Sequence, residues 1–349
     1  MPKVVSVVGN RPQYVKAAPL ALALADRAEV VGVDTGQHYD PELSQVFYDE
    51  LGIAPPAHRL AVGSGSHSEM TARILERIGP VLEAEAPDWC VVYGDTNSTL
   101  AAALAAAKLG IPIAHVEAGL RSFDRSMPEE VNRVVADRIA DLLLCPSDEA
   151  VANLAAEGIT AGVEQVGDVM ADAARLFGPI AERSTALADL GLEPGGYALC
   201  TVHREANTRQ PALGRIAAAL GALDVDVVLP LHPRTRAALA REGVALGGRV
   251  RAIEPVGYLA FTALLRGARM LLTDSGGAQK EAWFHQVPCI TLRDRTEWVE
   301  TVAHGGNVLV GDDAAAIRAA VADPPRPASW PALYGDGHAA ARIAALLAP

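Results

Sequence analysis

The chain has 349 residues, half of them apolar and only 5% aromatic, with 30 Lys and Arg against 42 Asp and Glu. A net charge of −12 supplies no basic field to draw in a phosphate backbone, which argues against broad nucleic-acid binding. Nothing approaches the ~20 apolar residues of a membrane span, and the length exceeds what one hydrophobic core usually fills, so two domains are expected.

Lys3-Val8 reads as a first strand, with neither the long apolar stretch nor the cleavage site of a signal peptide after it. Further Val- and Ile-rich strands are predicted at Val30-Asp34, Asp88-Tyr93, Pro112-Val116 and Leu142-Cys145, with helices such as Asn97-Leu109 and Glu130-Ala140 between them. A second series follows at Tyr197-Val202, Val225-Leu231, Val250-Ile253, Met270-Thr273 and Cys289-Leu292, and the tail Ala339-Leu347 reads as a last helix. Around Asp168-Arg183 strand character is lost, and that stretch is read as the link between the two series. The alternation predicts an α/β fold of two Rossmann-like doubly wound parallel-sheet domains facing a central cleft. The expected division is 1–170, completed by a C-terminal helix within 335–349, and 171–334. Ligands in such folds bind at the carboxyl ends of the strands. Cys90, Cys145, Cys200 and Cys289 lie far apart beside apolar runs, without a CxxC pair or a Cys/His cluster. Reduced, buried thiols and a cytoplasmic location are expected, with no zinc site.

Polar residues gather where strands end. The first strand runs into Gly9-Asn10-Arg11-Pro12-Gln13 and a helix bearing Lys16, a turn whose free N–H groups and two cations suit an anion, or equally an ordinary strand-to-helix turn. It is neither GxGxxG nor a Walker loop, which leaves NAD binding and ATP hydrolysis without support. Later strands end in Thr35-Gly36-Gln37-His38, in Gly94-Asp95-Thr96 and in His115-Val116-Glu117-Ala118-Gly119-Leu120-Arg121. His38 alone reads as a loop residue, and Asp95 fits a helix cap. Glu117, directly after an apolar strand, is harder to explain without function, because burying a lone charge is expensive. Glu129 and Glu130 follow Pro128, where acids favour a helix N-terminus, and Arg133 lies one turn on.

The second series repeats the pattern with Val202-His203-Arg204-Glu205, Leu231-His232-Pro233-Arg234 and Asp274-Ser275-Gly276-Gly277, the last opening a helix. Small side chains there let a diphosphate approach N–H groups at the positive helix end, with Glu281 one turn in, placed to accept hydrogen bonds from ribose hydroxyls; a Gly-rich turn with a solvated Glu is the other reading. Asp224-Val225-Asp226 matches a DxD metal motif only superficially. It is read as a turn, and no metal is expected.

On Gly9-Asn10-Arg11-Pro12-Gln13, Thr35-Gly36-Gln37-His38, Gly94-Asp95-Thr96, His115-Val116-Glu117-Ala118-Gly119-Leu120-Arg121, Pro128-Glu129-Glu130-Val131-Asn132-Arg133, Val202-His203-Arg204 and Asp274-Ser275-Gly276-Gly277, the chain resembles the non-hydrolysing UDP-N-acetylglucosamine 2-epimerases from Gly9 to about Gly311. Each motif is weak alone; their shared order is not. The resemblance implies two domains of the glycosyltransferase-B type, a homodimer, a UDP-sugar as the only substrate and no cofactor. It also implies the chemistry: elimination of UDP to a 2-acetamidoglucal, then readdition with the proton on the opposite face of carbon 2. By position it implies that Asp95, Glu117 and Glu129 are the catalytic carboxylates and that His203 acts at the phosphates or leaving oxygen. Arg11, Lys16 and Arg133 fall at substrate-side positions, Ser275, Gly276 and Gly277 at the diphosphate cradle, Glu281 at the ribose and Phe261 at the uracil. Phe261 equally fits a core aromatic.

The departures are informative. His203-Arg204-Glu205-Ala206-Asn207 has one Arg fewer than many bacterial members, and Tyr39-Asp40 follows Gln37-His38 where an Arg is common in members activated by their own substrate. Gln37, His38 and Arg204 fall at the regulatory sugar-nucleotide site of those members, so allosteric activation is not expected here. Thr296-Glu297-Trp298-Val299-Glu300, with Gln279-Lys280-Glu281 before it, is similar to a branch that includes archaeal-type enzymes and epimerases of diacetamido uronic acid sugars. A hydrolysing relative would use the same acids. A glycosyltransferase would not need carboxylates on both faces of carbon 2, and a catalytically dead sugar-nucleotide sensor would not need the intact acid set.

Overall fold

β-branched runs extend and the Ala- and Leu-rich runs between them coil, in a computed structural model that describes residues 1–37, 48 and 50–349. The chain divides into two units, Met1–Leu176 with Tyr334–Pro349, and Phe177–Leu333. The first holds a parallel sheet of β1 (Lys3–Val8), β2 (Glu29–Asp34), β3 (His58–Arg59), β4 (Trp89–Tyr93), β5 (Ile113–Val116), β6 (Leu142–Cys145) and β7 (Val163–Gln165), ordered β3-β2-β1-β4-β5-β6-β7. The second holds β8 (Tyr197–Thr201), β9 (Asp226–Pro230), β10 (Val250–Ile253), β11 (Met270–Thr273), β12 (Cys289–Thr291) and β13 (Asn307–Leu309), ordered β10-β9-β8-β11-β12-β13. Both sheets are doubly wound and Rossmann-like, and the chain changes direction between β1 and β4 and between β8 and β11.

Central strands are buried on both faces: Val5 pairs with Val31 on one side and Cys90 on the other, and all three lie inside. The helix Asn97–Leu109 covers this sheet with Ala101, Ala102, Ala103 and Ala106, small residues that let it lie close. Thr96 caps its start and Gly110, at φ 70°, ends it in the left-handed conformation that glycine adopts without strain. In the second unit Cys200, Leu229, Leu272 and Ile290 anchor an aliphatic core against Ile216, Leu220 and Ile317.

The short strands β3, β7 and β13 were not among the expected elements; each has two or three residues, too few for a periodic signal. The stretch read as a link is the helix Val169–Ala181, and the helix expected from Glu130 starts at Pro128, whose fixed φ suits a first turn. All four cysteines are buried and unpaired. Burial pushes the Cys90, Cys145 and Cys289 thiols up to about 12. Among the described residues no helix is long and apolar enough to cross a membrane.

The last helix, Ala339–Leu347, packs on the first, Arg11–Leu24. Its opening amides from Ala339 and Ala340 donate to the buried Asp172 carboxylate, both at 3.0 Å, so the cap comes from a distant helix. Replacing Asp172 with Ala leaves those amides without an acceptor. We expect a loss of about 1–3 kcal/mol in urea denaturation, and a markedly smaller loss for Asp172→Asn, which keeps one acceptor oxygen.

Candidate active site

The divergence of the loops after β1 and β4 opens the first unit's sheet, and one side chain ties the two together. Gln13, buried, accepts from Gly9 N at 2.8 Å and donates to the Tyr93 carbonyl at 2.7 Å and to Thr96 Oγ1 at 2.9 Å. Gly9 has no room for a side chain, since a Cβ there would lie 2.2 Å from Ser98 Oγ and 2.3 Å from Thr35 Oγ1. Gln37 is buried as well, and its Oε1 accepts from Ser98 N and Oγ at 3.2 and 2.9 Å. It braces this corner. His38 lies outside the described residues.

Asp95 does not cap the helix after it. Thr96 does, accepting from Thr99 N at 3.2 Å, and this leaves the Asp95 carboxylate to pair with Arg133. Arg133 is buried and also holds Glu130 at 2.8 Å, while Asn132 Nδ2 donates to the Asp95 carbonyl at 2.9 Å. Glu130 takes the amides of Ser122 and Phe123 at 2.9 and 3.0 Å, fixing the loop that follows Arg121. Arg133 is therefore an orienting group for Asp95. Glu129, half-buried, sits in the first turn of the same helix, Pro128–Ile139, one turn before Arg133.

Glu117 is buried and sits at φ 71°, a conformation that costs a non-glycine residue on the order of 1–3 kcal/mol. Its carboxylate pairs with the ammonium of Lys16. A Cβ on Gly94 would come within 3.1 Å of both Glu117 Oε2 and Lys16 Nζ, so that glycine leaves the ion pair its space. The pair therefore lies against the peptide that precedes Asp95. Arg11, half-buried, begins the helix that carries Lys16.

In the second unit the buried carboxylate is Asp274, which follows β11. It accepts the His203 amide at 3.0 and 3.1 Å, the Arg204 amide at 2.9 Å and Asn207 Nδ2 at 3.2 Å, and His203 Nδ1 lies 3.2 Å away. Burial opposes its charge, but His203 and the two amides outweigh that and hold its carboxyl below the usual range. Bonding at Nδ1 turns His203 Nε2 away from Asp274. Ser275 caps the helix Gly276–Phe284, whose first amides come from Gly276 and Gly277. A Cβ on Gly277 would have only Ser275 Oγ near it, at 3.9 Å, so its flank is open.

A Cβ on Gly276 would face Trp298 Nε1 at 3.3 Å, Glu297 Oε2 at 3.7 Å and Arg204 Nη2 at 3.9 Å. Arg204 thus stands beside the cradle glycines. Glu297 grips Arg293 through two bonds of 2.9 and 3.0 Å. Burial resists its charge, but Arg293 and Arg204 prevail and hold its carboxyl at about 2. The buried Lys280 lies 3.9 Å from the centre of the Trp298 ring, a cation–π contact. Glu281 is half-buried and acts on Tyr258, and the helix Tyr258–Gly267 carries Phe261, which packs on the local core.

Among the described residues no group of three or more His, Cys, Asp or Glu is arranged to hold a metal. Asp226 opens β9 opposite Arg249 at 3.8 Å. The sequence reading gave no role of their own to Asp274, Glu130 or Asp137. The first carried the same signal as Glu117, an acid directly after an apolar strand. Glu130, in the first helical turn, reads only as an acid suited to a helix N-terminus, and Asp137 lies inside the helix, where nothing in the pattern marks a buried acid.

Parallel sheets with paired acids and an amide cradle at their carboxyl ends are the framework of a nucleotide-sugar enzyme. A calicheamicin glycosyltransferase, CalG4, has the same fold at a TM-score of 0.54 and 17% identity, over 99% of this chain and 94% of that one. The profile of the UDP-N-acetylglucosamine 2-epimerases matches residues 21–348, and the chain belongs to that family. It is 45% identical to the UDP-2,3-diacetamido-2,3-dideoxy-D-glucuronate 2-epimerase of Pseudomonas aeruginosa, over 99% of each chain. It is 44% identical to a UDP-N-acetylglucosamine 2-epimerase homolog of Methanococcus maripaludis, again over 99% of each. The crystal structure of Methanocaldococcus jannaschii UDP-GlcNAc 2-epimerase in complex with UDP-GlcNAc and UDP matches at a TM-score of 0.93 and 39% identity, over 99% of each chain.

A depressed carboxyl stabilises the fold above its unfolded value and loses that contribution as pH falls through the folded one. For Glu297 the window runs from about 4.3, its unfolded value, down to about 2. Glu297→Gln should make the fall in denaturation free energy across that window shallower; a slope identical to that of the unaltered protein would dismiss the Arg293 pairing as its cause.

Proposed function

We propose that this chain inverts carbon 2 of a UDP-linked N-acetylated sugar by eliminating UDP to a 2-acetamidoglucal and adding it back. The proton at carbon 2 is scarcely acidic, so a base must take it as the bond from carbon 1 to the diphosphate breaks, and the departing charge must be stabilised. Readdition delivers a proton to the other face of carbon 2 as the diphosphate oxygen re-forms its bond to carbon 1. Asp95, Glu117 and Glu129 are the proton-transfer groups in this reading. His203 Nε2, Ser275 and the amides of Gly276 and Gly277 receive the diphosphate, with Arg204 beside them. Arg11 completes the anion side of the first loop, Glu281 meets the ribose and Phe261 flanks the uracil. The observation that carries this reading is Glu117: a buried carboxylate in a strained backbone, paired to Lys16 against the loop of Asp95.

The Pseudomonas relative favours a second substrate, a UDP-diacetamido uronic acid, processed at the same carbon by the same steps. The reading also places the protein in the cytoplasm as a homodimer; four buried, unpaired cysteines support a reducing compartment.

Incubation with each UDP-sugar in deuterated water, followed by NMR, should put deuterium at carbon 2 while UDP stays attached. Release of free sugar would mean a hydrolase, and no exchange with either substrate would defeat the proposal. Asp95→Asn, Glu117→Gln and Glu129→Gln should each cut turnover by roughly a hundredfold or more with UDP binding intact; full activity in one removes that residue from the set. Glu281→Ala should instead weaken UDP binding in calorimetry, and unchanged affinity would refute its ribose contact.

A further inference from the structure

We propose that His115 is a positioning residue protonated at neutral pH, an imidazolium that fastens the loop carrying Asp95 to the loop carrying Glu117. The ring is wholly buried, and each nitrogen faces an oxygen at 2.7 Å: Nδ1 the Asp137 Oδ1, Nε2 the carbonyl of Gly94. A carbonyl only accepts, and so does an ionised carboxylate. A neutral imidazole carries one N–H, so either tautomer would set a lone pair against an oxygen at hydrogen-bond distance. Transfer of the proton to Asp137 is disfavoured by its other oxygen, which accepts from Gly119 N at 3.1 Å and Arg121 Nη1 at 2.7 Å. Arg121 in turn grips Glu157 through two bonds of 2.6 and 2.8 Å. Charge therefore alternates from His115 through Asp137 and Arg121 to Glu157, and the three groups beyond His115 carry a net charge of −1 that a positive ring balances.

The groups facing this ring act in the same direction. Burial alone would lower the imidazole's proton affinity, but the charge and hydrogen bond of Asp137, the Gly94 carbonyl and the more distant Glu117 carboxylate outweigh it and raise the ring above its ordinary value. Lys16 is paired with Glu117, and the Cys145 thiol near Asp137 is pushed up by burial and stays neutral. Because the folded value is raised, the stabilisation is complete below about 6.5 and is lost only as pH rises through the higher folded value.

The position explains the consequence. Gly94 is the residue immediately before Asp95, and Glu117 follows His115 by two. On the other side of Glu117, Gly119 is held by the same Asp137. One buried cation and its counter-ion thus fix the backbone on both flanks of Glu117 and the peptide leading into Asp95. The ring lies beneath the acids and exchanges no proton with substrate.

The inference rests on the epimerase reading, and the two fail separately. In protein labelled with 15N at histidine, the His115 ring, assigned through its backbone, should show two protonated nitrogens at pH 7.5; one protonated and one bare nitrogen overturns the proposal whatever the activity. His115→Gln, which retains one donor, should lower kcat for deuterium incorporation by roughly a hundredfold, the scale of a small misplacement of reacting groups, with the Kd for UDP unchanged. Unaltered kcat, or a parallel loss of UDP binding, would also overturn it. Absence of exchange in the unaltered protein would sink the epimerase reading and leave the ring's protonation to stand by itself.

Discussion

Each sheet is organised at its carboxyl end by one buried aspartate. Asp137 and Asp274 are both almost fully enclosed, and an enclosed carboxylate is tolerable only if its surroundings saturate it with donors. Asp137 draws in an imidazole, a guanidinium and the Gly119 amide; Asp274 draws in the amides of His203 and Arg204, the Asn207 amide group and an imidazole nitrogen. Loops that would otherwise be mobile become over-determined, because loosening any donor exposes a buried charge to an unmet need.

That over-determination permits the local strain. Glu117 holds a left-handed backbone that its own residue type disfavours, with its amide bonded to the Leu144 carbonyl at 3.0 Å and the Gly119 amide anchored beyond it. The glycine at position 9 lets neighbouring groups close to distances that a methyl group would prevent, and the one at position 94 spares the ion pair a tight contact. Dipoles and charges fixed before the substrate arrives need no rearrangement during the reaction, which is how an enzyme stabilises charge that appears only in passing.

The sequence disclosed the architecture where physics is local and repetitive. Strands buried on both faces, such as β4 and β11, appear as largely apolar runs, and acids directly after a strand, Glu117 after β5 and Asp274 after β11, mark the sheet ends. Edge strands of two or three residues leave no such trace, because pairing with a neighbour rather than any internal pattern creates them. Side-chain partners were less legible. Asp95 had the form of a helix cap, yet Thr96 next to it fills that role; Arg133, placed at the substrate by resemblance, is occupied with Asp95 and Glu130. Arg204, aligned with a regulatory position, lies beside the Gly276 backbone. Which of two adjacent polar residues takes a bond depends on backbone angles, and those are settled by packing far along the chain.

The return of residues 334–349 to the first unit has a bearing on biosynthesis. The ribosome delivers the whole of Phe177–Leu333 before it delivers the helix that packs on Arg11–Leu24. The second unit therefore has all its parts while the first still lacks one, and the surface of Arg11–Leu24 on which Ala339–Leu347 packs stays uncovered until that helix is made. Order of synthesis and order of completion run in opposite directions.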